Sequence, residues 1–300
     1  MPSRAIWSIS VPVLSLTMLA SGSLGQTAPA KEGGQANGRS GGARRIVPPP
    51  APGPAHDPHD LNGTWLQYGP GFGGSGGGRP KLGSEWTKDE LPLTPAGLAK
   101  LNGNHSAKGP RADVPAKGND PLSGANVPGL LRTLIYGRPF QFIQSGDKVV
   151  QLFEWFRIWR EIWTDGRKMP DDPGPRFYGY SVAKWDGDTF DVETYGLDPR
   201  LWGDEWGMPF SESMRLRERW RRLDRDNLEL TVTFTDPEMY TKPFTSDVQR
   251  FRLQTKGMAD AEMLEVIFTP MDEQDFNKNI RDPSSLGIAG PKSGVRTGGK

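Results

Sequence analysis

The stretch FYGYSVAKWDGDTFDVETYG, residues 177–196, reads as two strands folded back on a tight turn. Aromatic and β-branched residues run from Phe177 to Lys184 and again from Thr189 to Gly196, and Asp186-Gly187 between them supplies the positive φ that a two-residue hairpin turn needs. Working outward from it, similar runs recur with turn chemistry between them. Phe140 to Gln144 leads through Ser145-Gly146-Asp147 to Lys148–Glu154; Ile158 to Trp163 reaches Asp165-Gly166; Met214 to Arg222 turns through Asp224–Asn227 into Leu228–Thr235. Val248–Leu253 and Met263–Phe268 close the series, and Thr64–Tyr68 opens it. About ten short strands predict an all-β fold: an antiparallel β-barrel, lipocalin-like in shape, with a β-sandwich as the alternative. Helix is scarce. One segment, Pro95 to Leu101, predicts a helix with Thr94 as N-cap and Gly103 as its stop.

The flanks differ in composition. Arg4 followed by an uncharged apolar stretch from Ala5 to Ala20 has the form of a signal peptide, assigned to 1–30, which predicts export to the periplasm or the outside and no membrane span in the mature protein. A Gly/Pro-rich leader, 31–60, and a polar tail, 276–300, carry too little apolar surface to offset the entropy of ordering, so the folded domain is placed at 61–275. There is no cysteine, so neither disulfides nor lipid attachment at a leader cysteine can contribute. With 37 basic against 36 acidic residues the net charge is +1, which argues against nucleic acid as a partner.

Alternation within the strands singles out a few charged side chains. On Met214–Trp220 one face carries Met214, Leu216, Glu218 and Trp220 and the other Arg215, Arg217 and Arg219, so an apolar interior takes Glu218 with it. The same counting sets Arg160 beside Ile158 and Ile162, and Glu154 beside Val150 and Leu152. Charges that enter an apolar interior need a counter-charge or water, so these three predict a paired cluster or a wetted cavity.

Several chemistries are excluded or weak. The three histidines, His56, His59 and His105, all precede the β region; with no cysteine either, its interior cannot hold a Ser-His-Asp triad, a Cys-His pair or a usual zinc site. No metal or cofactor is expected. Carboxylate chemistry remains open, with Glu154, Glu218 and Asp236 as the catalytic candidates and Glu193 and Glu212 behind them. The formal G-x-G-x-x-G at Gly71, Gly73 and Gly76 has no strand–helix context and reads as a loop. Of the tryptophans, Trp202 and Trp206 sit in an irregular segment and, with Tyr240, Glu154, Arg160 and Glu218, make up the expected ligand contacts.

The ordered series Glu161-Ile162-Trp163-Thr164-Asp165-Gly166-Arg167, Gly179-Tyr180-Ser181, Trp185-Asp186-Gly187-Asp188-Thr189, Val192-Glu193-Thr194, Ser211-Glu212, Glu218-Arg219 and Thr235-Asp236-Pro237 with Tyr240-Thr241-Lys242-Pro243 resembles an uncharacterised family of exported bacterial proteins. Asp60-Leu61-Asn62-Gly63-Thr64-Trp65 is similar to the Gly-x-Trp opening of lipocalin-like barrels. The resemblance implies a compartment and a barrel shape and brings no catalytic residue with it. Three functions follow as expectations: a binding module for a small, partly apolar ligand in the barrel's interior or mouth; a metal-independent hydrolase or isomerase using paired carboxylates; or an envelope scaffold.

Overall fold

The computed structural model describes residues 55–68, 78–258 and 261–285. The expected signal peptide and most of the leader, the Gly71–Gly76 motif and residues 286–300 lie outside them. Ten strands are present: β1 (Gly63–Tyr68), β2 (Phe140–Ser145), β3 (Lys148–Phe153), β4 (Trp159–Trp163), β5 (Tyr180–Asp186), β6 (Thr189–Tyr195), β7 (Arg215–Arg222), β8 (Asn227–Thr235), β9 (Phe244–Thr245) and β10 (Gln249–Gln254). Each of β1 to β8 pairs with the next, and β10 closes the ring by pairing with both β8 and β1. The result is a closed nine-strand barrel. The two-residue β9 lies outside that ring and pairs with Thr233 and Phe234, beyond the part of β8 that β10 occupies.

The barrel is mixed rather than purely antiparallel. β4 and β5 run parallel and meet at only two positions, Ile162 against Ser181 and Trp163 against Val182. The reason lies in the connection: residues 164–179 do not make a hairpin at Asp165-Gly166 but return along the barrel to start β5 at the end where β4 began. Three two-strand turns, β2–β3, β5–β6 and β7–β8, sit at one end of the barrel. By the same registers the long connections β1–β2, β6–β7 and β8–β10 gather at the other. In the β5–β6 turn Gly187 has φ +56°, the conformation that the Asp-Gly pair predicted.

Two further corrections concern elements. The run Met263–Phe268 is not a strand; it lies along the barrel's loop-rich end with a single bridge from Val266 to Trp155, and the tenth strand is β9 instead. Where composition indicated a loose tail from 276, helix α3 (Pro270–Phe276) is followed by helical turns over Asn277–Arg281 and Asp282–Ser285. In chain order the helices before it are α1 (Pro95–Gly103), whose N-cap Thr94 accepts from the backbone of Gly97, and α2 (Gly129–Ile135), all seven residues of which are buried. Among the described residues no helix is long and apolar enough to cross a membrane.

The barrel's centre is packed. Phe140, Phe142, Trp220 and Phe251 meet edge to face or tilted, with ring centroids 5.1–5.6 Å apart, and Leu230, Val232, Val192 and Ile162 fill in around them. Burying each such side chain stabilises the fold by about 1.5–3 kcal/mol, which is how a chain without disulfides can hold a closed ring.

Candidate functional site

Alternation on β7 and β4 delivers Glu218 and Arg160 to the interior, where they join. The Arg160 guanidinium donates to both carboxylate oxygens of Glu218 at 2.7 and 2.6 Å, and both side chains are almost fully buried. Glu218 also accepts from the Thr194 hydroxyl at 3.2 Å and the Trp220 indole N–H at 3.1 Å, while the Arg160 Nε donates to Gln151 at 2.9 Å. The carboxylate is thus saturated with donors. The cluster is a paired network inside the wall, its two charges already matched to each other.

The other residues singled out in the sequence lie apart from this network, and of them Asp236 and Tyr240 share one turn, the Tyr240 backbone N–H donating to the Asp236 carbonyl at 2.8 Å. Glu154 follows the end of β3, whose inward face is Val149, Gln151 and Phe153 rather than Val150 and Leu152; it is buried, accepts from the backbone of Leu264 at 3.0 Å and faces Arg138 at 3.5 Å. Asp236 accepts from the Ser211 backbone at 2.6 Å and its hydroxyl at 2.8 Å and from the backbone at Glu238 and Met239, so it ties the β6–β7 and β8–β9 connections together. Tyr240 is buried and donates to the Pro209 carbonyl at 2.6 Å. Trp202 and Trp206 are buried in the β6–β7 connection, and the Trp206 ring lies against Gly109.

A cavity of about 380 Å³ opens at the loop-rich end, between the β1–β2 connection and the C-terminal segment. Its apolar wall includes Tyr136, which stacks on Trp155 with centroids 3.6 Å apart, together with Phe268 and Phe276. Its polar wall includes two ion pairs, with His105, Asp272 and Glu273 also on the lining. Lys108 donates to both oxygens of Glu205 at 2.6 and 2.8 Å, and Arg132 grips Asp120 through both terminal nitrogens at 2.7 and 3.0 Å. Burial opposes the Arg132 charge, yet the Asp120 carboxylate outweighs it and holds the proton more firmly than usual. Burial, then the Glu205 charge, pushes the Tyr136 phenol well above its ordinary range, so it stays a hydrogen-bonding neutral group. The Arg132 Nε, buried, has no hydrogen-bond partner among the described residues.

Beneath this wall the Asp204–Glu205–Trp206 turn is fixed from β1–β2. Asp204 accepts from the Ser84 hydroxyl and from the backbone of Glu85, Trp206 and Met208, and Glu85 accepts from the Glu205 backbone at 2.8 Å. Burial and the neighbouring Asp204 charge push the Glu85 carboxyl up to about 8.

Sequence reasoning touches this lining at His105, read as a loop residue, and at Phe268, read as a strand end, and does not assemble the cavity, because its walls come from separate segments without a shared periodicity. One signal was legible: Arg132 is the lone charge in the run Gly129–Ile135, which is otherwise apolar but for Thr133. Among the described residues no group of three or more His, Asp or Glu is arranged to hold a metal ion.

Fold and site together define the class: a closed, mixed β-barrel with a packed centre and a ligand-sized cleft against its loop-rich end. Compared with known proteins, the chain matches no family model, no curated protein and no solved structure.

Proposed function

We propose that the protein is a binding module that takes a small, partly apolar ligand in the cleft between Tyr136, Trp155, Lys108, Glu205 and Phe268. The observation that carries this reading is the cleft itself: its volume of about 380 Å³ lies in the range of small-molecule sites, about 300–1,000 Å³, and it combines aromatic walls with a few fixed charged groups. The barrel interior is less suited to the role, because the aromatic rings and the Arg160–Glu218 pair occupy it. The N-terminal signal-type sequence adds export to the proposal, and the ordered motifs add membership of an exported bacterial family. A catalytic role has less support, since Glu154, Glu218 and Asp236 stand in three separate hydrogen-bond networks.

The test is titration of the full chain with an environment-sensitive naphthalene-sulfonate dye. Saturable enhancement is expected, weakened about tenfold by Tyr136→Ala and by Phe268→Ser with the barrel's circular dichroism unchanged. Dye binding that is absent, or indifferent to both substitutions, overturns the proposal.

A further inference from the structure

A second cleft, of about 230 Å³, opens on the outer wall where β4 and β5 part. Elsewhere in the ring neighbouring strands pair over three to eight positions, but β4 and β5 pair over two, so residues 159–161 have no sheet partner on the β5 side. Trp159, Trp163, Tyr178 and Tyr180 line the gap together with Glu161 and Arg176. Three of these aromatic rings are braced, Tyr178 through its hydroxyl on Thr133 at 3.1 Å. Arg167 lies over the Trp163 ring at 3.5 Å, with Asp165 holding its guanidinium at 2.6 Å, and Arg167 reaches the Tyr180 hydroxyl at 3.4 Å. Trp159 is not braced: it is 61% exposed, more than any other aromatic residue among those described, and it stands on the outer face of β4 at the edge of the cleft.

The charges are as unequal as the rings. Glu161 is neutralised by Lys148 at 2.6 Å, and Arg160, at the floor, by Glu218. Arg176 meets no carboxylate among the described residues; its nearest aromatic partner is Tyr180, with the guanidinium 5.4 Å from the ring centre. The cleft therefore offers one flat, open indole, hydroxyl and backbone groups for hydrogen bonding, and one uncompensated positive charge, in a space smaller than a drug-sized site. A pyranose fits that combination: one of its faces is a patch of C–H groups that covers an aromatic ring, and its rim is hydroxyl. The free guanidinium adds a preference for a carboxylate on the sugar, which an arginine fork can hold through two hydrogen bonds.

From this geometry we infer that the β4–β5 seam is a binding site for an acidic sugar unit, stacked on Trp159 with its carboxylate on Arg176. This site is separate from the cleft at the loop-rich end and does not depend on it.

The experiment is a calorimetric titration of the full chain with trigalacturonate and with a neutral hexose trisaccharide, in wild type and in Trp159→Ala, Arg176→Gln and Tyr136→Ala. Trigalacturonate is expected to bind about tenfold more tightly than the neutral sugar. Trp159→Ala should abolish saturable binding of both, Arg176→Gln should remove the preference for the acid, and Tyr136→Ala should change neither. Trp159 is exposed, so thermal unfolding of its variant is expected to match wild type and loss of binding cannot be put down to misfolding. Absence of binding to either sugar, equal affinity for the two, or binding that survives Trp159→Ala overturns the inference. Loss caused by Tyr136→Ala would place the sugar in the other cleft and overturn it as well.

Discussion

The Arg160–Glu218 pair shows what a buried charge does to the residues around it. Four donors converge on one carboxylate, and removing the guanidinium strands that carboxylate among apolar neighbours. Arg160→Met is therefore expected to cost about 3–5 kcal/mol of stability, whereas Arg160→Met combined with Glu218→Leu recovers most of it, because the desolvation penalty leaves with the charges. Urea denaturation of both single variants and the double variant gives the coupling. Glu85 yields a prediction with the opposite pH sign from an ordinary surface carboxylate. The folded state keeps its proton up to about 8, above the usual value of 4.5, so its contribution is fully present below that usual value and is lost as pH rises through about 8. Glu85→Gln should flatten this decline; comparing urea midpoints at about pH 5 and about pH 9 for wild type and variant measures it, and parallel declines in both would reject the assignment.

The elements explain which parts of the fold were legible. Two-residue alternation is a property of each strand, so the residue order of β7 by itself announces the inward set, Leu216, Glu218 and Trp220, and Asp186-Gly187 announces its hairpin. β3 misleads at its end: the count that groups Glu154 with Val150 and Leu152 takes the wrong face, since apolar residues occupy both faces of this strand and alternation alone cannot choose between them. The run Met263–Phe268 has strand composition but no free edge to join once β10 has closed the ring. The two clefts were barely legible, through Arg132 in one and Arg160 in the other, because each forms where separate segments meet. In α1 a local rule is overridden. Alanine ordinarily strengthens a helix relative to glycine, but a Cβ at Gly97 would sit 2.1 Å from the Met239 carbonyl oxygen. Gly97→Ala is expected to destabilise by about 1–3 kcal/mol, with Ala99→Gly, on the exposed face of the same helix, costing about 1 kcal/mol for the ordinary reason; thermal melts that rank the two in reverse would show that the helix can shift.

At the scale of the whole molecule the barrel and the C-terminal segment are expected to be separable in energy. Every strand of the ring ends by Gln254, while the segment from 261 supplies Phe268 and Phe276 to the cleft and is tied down by Glu154 and by the bridge from Val266 to Trp155. A chain ended at Lys256 should keep cooperative unfolding and the near-ultraviolet signal of the packed aromatic centre, and lose dye binding at the cleft; loss of the cooperative transition instead would make the segment part of the core. The ring itself has a different dependence on its last strand. β10 slots between β1 and β8, and its Gln249 amide oxygen is met by Gln67, 182 residues earlier. While the chain is still being made, β1 has only one neighbour and β8 an open edge, so the cylinder cannot be completed until β10 has been synthesised. Unfinished chains carry two unpaired strand edges flanking an aromatic interior, the surface on which one copy could zip onto another. Nascent molecules are therefore expected to self-associate unless they are shielded until β10 arrives.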